Sequence, residues 1–338
     1  IMEMPYNDII RKFIDMYAGR LRNQVSFMLS ACNFYMPIFE EALDAYGLPL
    51  ELRYLPIIES ALNPSAVSRA GASGLWQFMI GTGKIYGLES NSLVDERRDP
   101  IKATWAAARY LKEMYDIYGD WNLVIAAYNC GPGTINKAIR RANGETDYWK
   151  IYNYLPKETR GYVPAFIAAN YVMTYYCDHN ICPMETNIPA STDTVQVNKN
   201  LHFEQIADLC NVPLDQIKSL NPQYKKHMIP GDSKPYTLRL PIDAISTFID
   251  KQDTIYAHRA DELFRNRKTV AVKEITPSTR KTTAAVAGKG KLTYYTIKSG
   301  DTLSTIAGKY GVTIKDIQRW NGMSNTKIAA GKRLKIYK

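Results

Sequence analysis

The C-terminal third of the chain contains an internal repeat, which restricts the fold more than any other feature. When the numbering is shifted by 100, apolar residues of one stretch coincide with apolar residues of the other. Such self-similarity indicates two copies of one small folding unit. Alternating and helical spacings predict the order strand, helix, helix, strand in each copy. The coinciding pairs are Val197 and Ile297, Phe203 and Leu303, Ile206 and Ile306, Ala207 and Ala307, Val212 and Val312, Ile217 and Ile317, Leu220 and Trp320, and Asn221 and Asn321.

The N-terminal half is predicted to be helical throughout, because its apolar residues recur at three- and four-residue spacing. Two helices are expected within residues 5–47, and Asp99-Pro100 is a cap and first turn for a third that ends before Gly119. Further helices are expected over Trp121–Tyr128, over Ile135–Ala142 with Thr134 as its cap, and from Ala165 to about Tyr176.

One carboxyl group in this half stands in unusual surroundings. Glu59 follows Leu-Pro-Ile-Ile and precedes Ser-Ala-Leu, in the last turn of a helix that Asn63-Pro64 is expected to end. Apolar surroundings disfavour the ionised carboxylate and raise its pKa toward roughly 6–7, which suits a proton donor at neutral pH. The alternative is a structural glutamate paired with Arg53 or Arg69.

The loop that follows favours a binding site. Residues 68–74 are small and polar, and Gly71 and Gly74 let the backbone approach a ligand closely. The next five residues, Leu-Trp-Gln-Phe-Met at 75–79, combine aromatic rings with a side-chain amide. Sugars offer an apolar face for stacking and hydroxyls for hydrogen bonds, so this composition suits a carbohydrate.

Four ordered motifs within roughly residues 50–170 resemble the soluble-lytic-transglycosylase family. They are Glu59-Ser60, GLWQFM at 74–79, AAYNCG at 126–131 and Tyr162-Val163-Pro164. Ile80 departs from the proline usual in the family, at a position without a proposed role. The resemblance implies an all-α, lysozyme-like catalytic domain and Glu59 as the catalytic residue. It also implies that Ser73, Gln77 and Asn129 hold acetamido and hydroxyl groups and that Tyr162 bonds near Glu59. Tyr128, with Trp76, is a weaker candidate, since such aromatics are more often core residues.

The second repeat copy, over 293–338, closely resembles a LysM domain, a module that binds N-acetylglucosamine-containing glycans. The resemblance places the sugar groove at Gly300, Asp301, Thr302, Leu303 and Ile328, although Leu303 also fits a core position. The first copy is degenerate, because Asn200-Leu201 replaces Gly300-Asp301. Glycan binding and a structural spacer remain open for it.

The expected architecture is therefore multidomain, an all-α domain followed by two small α+β units. The predicted order is a catalytic domain at 1–188, the degenerate copy at 192–248, a linker at 249–291 and the LysM domain at 292–338. Within the linker, Thr276–Lys291 is rich in Thr, Ala, Gly and Lys and is expected to be flexible.

Composition limits the partners. The formal charge of +10 suits an acidic partner. Peptidoglycan with anionic stem peptides fits, and no nucleic-acid-binding module is recognisable.

No apolar run approaches the roughly 18 residues of a membrane span, and no signal peptide is visible. The family points to the periplasm or cell envelope, so a signal or lipid anchor is expected to have been removed or to lie upstream. The five cysteines are interpreted as unpaired thiols, with a bridge between Cys177 and Cys182 as the alternative. The four histidines lack ligand spacing, and no metal or cofactor motif is found.

The carboxylates of the motifs favour a single-acid mechanism. A conventional glycosidase uses two carboxyl groups, whereas Glu51, Asp95, Asp99 and Glu158 are each interpreted as caps or solvated charges. Protonated Glu59 would donate to the oxygen leaving the anomeric carbon of N-acetylmuramic acid, and then accept the proton of that sugar's C6 hydroxyl. The product would be a 1,6-anhydromuramyl end. The alternatives are a lysozyme-like hydrolase and a non-catalytic wall-binding protein.

Overall fold

The computed structural model describes residues 2–186, 188–189, 191–265, 292–297, 301, 303–310, 312–321, 323, 328 and 331–337. The chain divides into two compact units, Ile1–Thr276 and Pro277–Lys338. The predicted flexible stretch Thr276–Lys291 lies outside the described residues. Among those that are described, no helix combines the length and apolarity needed to cross a bilayer. All five cysteines are free, which agrees with their interpretation as unpaired thiols.

The first unit begins with a helical domain around one large apolar core. Its helices are α1 (Asp8–Ala18), α2 (Arg22–Ala45), α3 (Leu55–Ser60), α4 (Ile80–Ile85), α5 (Pro100–Tyr118), α6 (Trp121–Cys130), α7 (Pro132–Arg141), α8 (Tyr148–Ile151) and α9 (Lys157–Thr174). Short 3₁₀ turns lie at Leu50–Tyr54, Glu96–Arg98 and Tyr152–Tyr154. The two helices expected within 5–47 are confirmed. So is the Asp99 cap, whose carboxylate accepts from the backbone N–H groups of Ile101 and Lys102.

Three predicted helix boundaries are wrong. Helix α3 ends at Ser60 rather than at Asn63-Pro64, because Ala61 and Leu62 adopt left-handed backbone angles (φ 51° and 58°). Helix α7 begins at Pro132, with Gly131 rather than Thr134 at the N-cap position, because proline suits the first helical turn. Helix α9 begins eight residues before the predicted Ala165 and continues through Pro164.

The first repeat copy follows within the same unit. Strands β1 (Thr192–Val197) and β4 (Tyr236–Pro241) pair antiparallel, as do β2 (Asn200–His202) and β3 (Met228–Pro230). Helices α10 (Phe203–Cys210) and α11 (Leu214–Leu220) lie between them in sequence. The structure then continues through α12 (Ile242–Asp250), α13 (Gln252–Ala257) and α14 (Ala260–Leu263). The predicted linker is therefore wrong at its start, since residues after 249 are helical and Ile255 is fully buried in this core. The other domain limits remain predictions.

The first copy and the helical domain share structure through residues 89–98, which we call the bridging loop. Leu93 and Val94 of this loop are buried in the core of the first copy. Val94 forms an isolated antiparallel bridge with Tyr224. On either side, the Lys225 N–H donates to the Leu93 carbonyl (2.6 Å) and the Asp95 N–H donates to the Gln223 carbonyl (2.9 Å). Backbone pairing of this kind fixes the two parts against each other.

The second unit contains the second repeat copy, with its own small core. Strands β5 (Leu292–Thr296) and β6 (Arg333–Tyr337) pair antiparallel, and helices α15 (Leu303–Tyr310) and α16 (Ile314–Asn321) lie between them in sequence. The predicted order of strand, two helices and strand is confirmed in the second copy; the first copy has these elements and a further strand pair, β2 with β3.

An asparagine ties helix to strand in the same way in each copy. In the first, the Asn221 amide donates to the Ile217 and Arg239 carbonyls (2.9 and 2.7 Å) and accepts from the Arg239 N–H (2.8 Å). In the second, the Asn321 amide makes the same three bonds to Ile317 and Lys335 (2.8, 2.9 and 2.7 Å). We call each set an asparagine clamp. The two copies are thus similar in their hydrogen bonds as well as in the spacing of their apolar residues.

Candidate active site

Glu59 lies in the last turn of α3, as predicted, and faces α9. Its Oε1 accepts a hydrogen bond from the hydroxyl of Tyr162, which α9 positions. Ser60 holds the turn that follows: its Oγ lies 3.0 Å from the carbonyl oxygens of both Pro56 and Leu75, and its single proton is donated to one of them at a time. The predicted association of Glu59 and Tyr162 is therefore present in the structure.

The Glu59 carboxyl is strongly perturbed. Burial raises its pKa from 4.5 to about 7; the Tyr162 hydrogen bond acts in the opposite direction, and the negative charge of Glu158 adds to the rise. A pKa near 7 leaves both protonation states populated at neutral pH, as a group that first gives and then takes a proton requires. Arg53, one of the structural partners considered above, instead bonds to Glu40 and Tyr54.

Residues 71–79 form a tight loop beside α3, here called the glycine loop. The Ser73 N–H donates to the Phe78 carbonyl (3.1 Å). Gln77 has a left-handed backbone (φ 48°), and its amide donates to the carbonyls of Gly74 (2.8 Å) and Ala66 (3.3 Å). These bonds use the amide N–H₂ group of Gln77 and leave its carbonyl oxygen as the acceptor to offer a ligand.

Gly74 is the residue that lets the glycine loop meet the bridging loop. Its φ is +89°, and a Cβ added there would lie 1.7 Å from the carbonyl oxygen of Arg97. Only glycine fits such a close approach of two backbones. The sequence argument assigned this glycine to close approach of a ligand; in the structure the approaching group is the protein's own backbone.

Ser73 is the predicted site residue whose surroundings differ most from expectation. It is fully buried, and its Oγ accepts a hydrogen bond from Arg98 Nε (3.0 Å). The neighbouring Arg97 donates to the carbonyls of Gly71 (2.8 Å) and Phe78 (2.9 Å) and pairs with the buried carboxylate of Asp95 (2.8 Å). Ser73 therefore holds the loop in this structure, and its predicted contact with a sugar stays a prediction.

Sequence reasoning missed the role of Arg97 and Arg98. From the sequence, Asp95 is interpreted as a cap or solvated charge and weighed as a possible second acid; that interpretation is wrong, because Asp95 is buried and paired with Arg97. The available signal was the run Asp-Glu-Arg-Arg-Asp at 95–99, five charges next to the buried Leu93 and Val94. Charges adjoining a buried stretch are expected to be paired.

The remaining predicted residues lie at the end of α6. The Tyr128 hydroxyl donates to the Trp76 carbonyl (2.6 Å), which anchors the glycine loop to this helix. Asn129 Oδ1 accepts from the Thr159 hydroxyl (2.8 Å), which fixes the orientation of the amide so that its N–H₂ group is the donor left to offer. Trp76 is fully buried and bonds to Thr104 (2.9 Å), so its interpretation as a core aromatic is confirmed.

The other acids considered above differ from Glu59 in their surroundings. Asp99 caps α5, Asp95 pairs with Arg97, and Glu158 is exposed in the first turn of α9. Within the described ranges, no group of three or more His, Cys, Asp or Glu side chains is placed to hold a metal ion.

The predicted sugar-groove residues lie in the second unit. Leu303 is 2% exposed and belongs to the core, the alternative that its position allowed. Asp301 accepts a hydrogen bond from the Tyr295 hydroxyl (2.8 Å), and Ile328 is partly buried against the core. Gly300 and Thr302 lie outside the described residues.

Three family models match the chain. They are the transglycosylase SLT domain at 36–151, the LysM-like domain of lytic transglycosylase MltD at 191–257, and the LysM domain at 295–336. Membrane-bound lytic murein transglycosylase D of Escherichia coli K12 is 31% identical over 339 residues, which cover 99% of this chain and 70% of that protein. The chain belongs to this lytic transglycosylase family. The resemblance noted in the motifs and the predicted fold class, a helical lysozyme-like domain followed by LysM-type domains, are thereby confirmed.

Other relatives match parts of this transglycosylase. The soluble lytic murein transglycosylase of E. coli K12 is 33% identical over 124 residues, 35% of this chain and 19% of that protein. The crystal structure of the 70 kDa soluble lytic transglycosylase of E. coli matches with a TM-score of 0.37 and 29% identity, covering 42% of this chain and 24% of that one.

Proposed function

We propose that this transglycosylase cleaves the β-1,4 bond between N-acetylmuramic acid and N-acetylglucosamine without water, and that Glu59 is its single acid and base. The observation that carries the proposal is the Glu59 carboxyl, whose pKa burial raises to about 7 beside the family's Gln77 and Asn129. The other charge that acts on it is that of the exposed Glu158. The buried Asp95 is already paired with Arg97, which leaves Glu59 as the shielded carboxyl proposed for the reaction.

In the first step, protonated Glu59 donates its proton to the glycosidic oxygen as the bond from that oxygen to the anomeric carbon breaks. The departing N-acetylglucosamine keeps the proton as a hydroxyl. The anomeric carbon becomes electron-poor, and the acetamido oxygen of the same sugar stabilises it, as in substrate-assisted glycosidases. Glu59 is now a carboxylate, and the Tyr162 hydroxyl donates to it. That bond stabilises the charge which this step creates.

In the second step, the Glu59 carboxylate removes the proton of the C6 hydroxyl on the muramic acid. The C6 oxygen forms a bond to the anomeric carbon and closes the 1,6-anhydro ring. Glu59 ends protonated, ready for the next cleavage. One group with a pKa near the working pH can serve both steps, because neither protonation state is then strongly disfavoured.

The side chains around Glu59 supply the polar contacts that the sugars need. The fixed amide of Asn129 presents a donor, which suits the acetamido carbonyl, and the Gln77 carbonyl presents an acceptor for a hydroxyl or N–H. Tyr128 acts by holding Trp76 and the glycine loop. Ser73 acts by accepting the hydrogen bond of Arg98, which holds the glycine loop.

The second copy is proposed to hold the enzyme on peptidoglycan, with Asp301 and Ile328 beside the groove and Leu303 beneath it. Family membership supports an envelope location, since the E. coli relative is a membrane-bound murein transglycosylase by name. Peptidoglycan is also the acidic partner that the charge of +10 suits.

Mass spectrometry of muropeptides released from purified peptidoglycan tests the reaction. We expect products one water lighter than reducing-end muropeptides, and a loss of rate of at least about 10³-fold in Glu59→Gln. Glu158→Gln is the matched control and should retain most activity. Reducing ends, or equal losses in both variants, would indicate a lysozyme-like hydrolase with a second acid. No release from any peptidoglycan would indicate a wall-binding protein.

A further inference from the structure

A small pocket of about 260 Å³ lies where the first repeat copy meets the helical domain. Half of the ten residues that line it are basic, and none is acidic. The basic residues are Arg98 from the bridging loop and Lys218, Lys225, Lys226 and His227 from the first copy. We call this the cationic pocket. Neither part of the unit makes it alone.

The charges of the pocket exceed their counter-ions. Asp95 lies behind it, yet this carboxylate already accepts two hydrogen bonds from Arg97 (2.9 and 2.8 Å) and lies 3.7 Å from Lys225 Nζ. Lys218 pairs with Asp215 (3.0 Å). Within the described part of the chain, Arg98 and Lys226 form no ion pair at contact distance, although the charge of Arg98 also acts on Asp95. The pocket thus keeps unneutralised positive charge.

Lys225 lies in partly desolvated surroundings. Its side chain is 22% exposed. Burial lowers its pKa, and the positive charges of Arg98 and Arg97 lower it further, against the opposing effect of Asp95. Cations held together in partly desolvated surroundings repel one another, and a bound anion would relieve that repulsion.

The backbone at the rim is held in an uncommon conformation. Lys226 and His227 are consecutive and both have left-handed angles (φ 58° and 55°), which non-glycine residues seldom adopt. The preceding residues are fixed by the backbone pairing to the bridging loop. Residues held in this way concentrate at binding sites, where the surrounding structure compensates the strain.

The pocket also adjoins the predicted substrate contacts. Arg98 lines it and donates to Ser73 of the glycine loop. Ser65 lines it too, and the next residue, Ala66, accepts the hydrogen bond of the Gln77 amide. The pocket therefore lies next to the loop that carries the predicted sugar contacts.

We propose that the cationic pocket binds a carboxylate of the peptidoglycan stem peptide while the glycan strand occupies the active site. This inference rests on the proposed function. The first copy then acts as a substrate-binding extension of the active site rather than as a spacer.

Lys226→Glu tests the pocket, and Lys251→Glu is the matched control. Both lysines are exposed, both belong to the same part of the unit, and the two changes alter net charge equally. Neither residue belongs to the proposed catalytic machinery. The assay compares kcat/KM of the full chain on soluble glycan strands with intact stem peptides, on strands whose peptide carboxylates are amidated, and on strands without peptides.

We expect Lys226→Glu to lower kcat/KM about three- to tenfold on intact strands only, because an ion pair made by an exposed lysine contributes on this scale once the repulsion from the reversed charge is added. Lys251→Glu should match the wild type on all three substrates. An equal loss on every substrate, no loss on any, or the same loss in both variants would overturn the proposal. A loss on peptide-free strands would assign the pocket to the lactyl carboxylate and likewise overturn it.

A binding measurement separates failure of the pocket from failure of the proposed reaction. Isothermal titration of the Glu59→Gln chain with a soluble peptide-bearing glycan fragment requires no cleavage. We expect a three- to tenfold higher Kd when Lys226→Glu is added, an unchanged Kd when Lys251→Glu is added, and no difference with the amidated fragment. If the wild type releases no anhydro product, the proposed reaction is wrong, but this titration still tests whether the cationic pocket binds a peptide carboxylate. An equal Kd in both double variants would contradict that binding.

Discussion

The two repeat copies share an internal framework and differ in their surroundings. Both contain the asparagine clamp, with three hydrogen bonds of nearly equal length around Asn221 and around Asn321. The first copy shares its core with Leu93 and Val94 of the helical domain, whereas the second belongs to a separate compact unit. The two copies therefore share the hydrogen bonds that join helix to strand, whereas their surface residues differ and determine which part of the protein each copy contacts.

Side chains of the first copy reinforce this attachment. The Tyr236 hydroxyl donates to Glu89 of the bridging loop (3.0 Å), and Lys234 pairs with the same carboxylate (2.6 Å). Lys225 adds a bond from its ammonium to the Asn91 carbonyl (2.8 Å). These contacts, with the shared backbone bridge, connect the first copy through Arg97 and Arg98 to the glycine loop.

The largest effect on this connection is expected from Asp95→Asn. The change removes the charge that Arg97 and Lys225 share and leaves buried cations without a counter-ion, at a cost of about 3–5 kcal/mol. Thermal unfolding should show the first unit melting roughly 10 °C lower. Asp215→Asn, which changes an exposed pair of the same copy, should stay within about 0.5 kcal/mol of the wild type. Equal Tm values for the two variants would contradict a central role for Asp95.

The two clamps offer a matched pair of changes. Asn221→Ala and Asn321→Ala each remove three hydrogen bonds and leave backbone groups unpaired, so each should cost about 2–3 kcal/mol in its own unit. Cleavage of short soluble glycans should fall with Asn221→Ala and stay unchanged with Asn321→Ala, measured as anhydro-product release. Equal losses would show that the second copy is also needed for catalysis.

Deletion of 292–338 tests the second copy directly. Binding to sacculi, measured by co-sedimentation, should weaken about tenfold, which corresponds to roughly 1.4 kcal/mol. The rate on short soluble glycans should be nearly unchanged, because the first unit retains Glu59 and all of its contacts. Unchanged sacculus binding would contradict the assignment of a glycan-binding role to this copy.

The smallest effect is expected from Tyr162→Phe, a change within the active site alone. The Tyr162 hydrogen bond favours the ionised carboxyl and lowers the pKa of Glu59, so its loss should raise that pKa further above about 7. In the proposed mechanism cleavage requires the protonated form of Glu59 first, so kcat/KM is expected to fall as pH rises through its pKa. The descending limb of the pH profile should therefore move to higher pH, by up to about one unit. A shift to lower pH would contradict the assigned direction.

Sequence reasoning reached the helical character of the first domain, the repeat and the perturbed carboxyl of Glu59 because each leaves a local pattern. Apolar spacing revealed both copies, and the apolar neighbours of Glu59 indicated its raised pKa. The contacts of Ser73 with Arg98 and of Val94 with Tyr224 join residues far apart in sequence, so no local pattern could reveal them. Boundaries such as that of α3 depended on left-handed angles at Ala61 and Leu62, which neither side chain favours on its own.

The bridge between Val94 and Tyr224 also has a consequence for the order of events during synthesis. Tyr224 follows Val94 by 130 residues, the difference of the two numbers. At about 5–20 residues per second, the ribosome needs roughly ten seconds to supply it. Until then Leu93 and Val94 lack the core that covers them. The helical domain, although complete in sequence, must therefore wait for the first copy before the loop that braces its active site can take its final place.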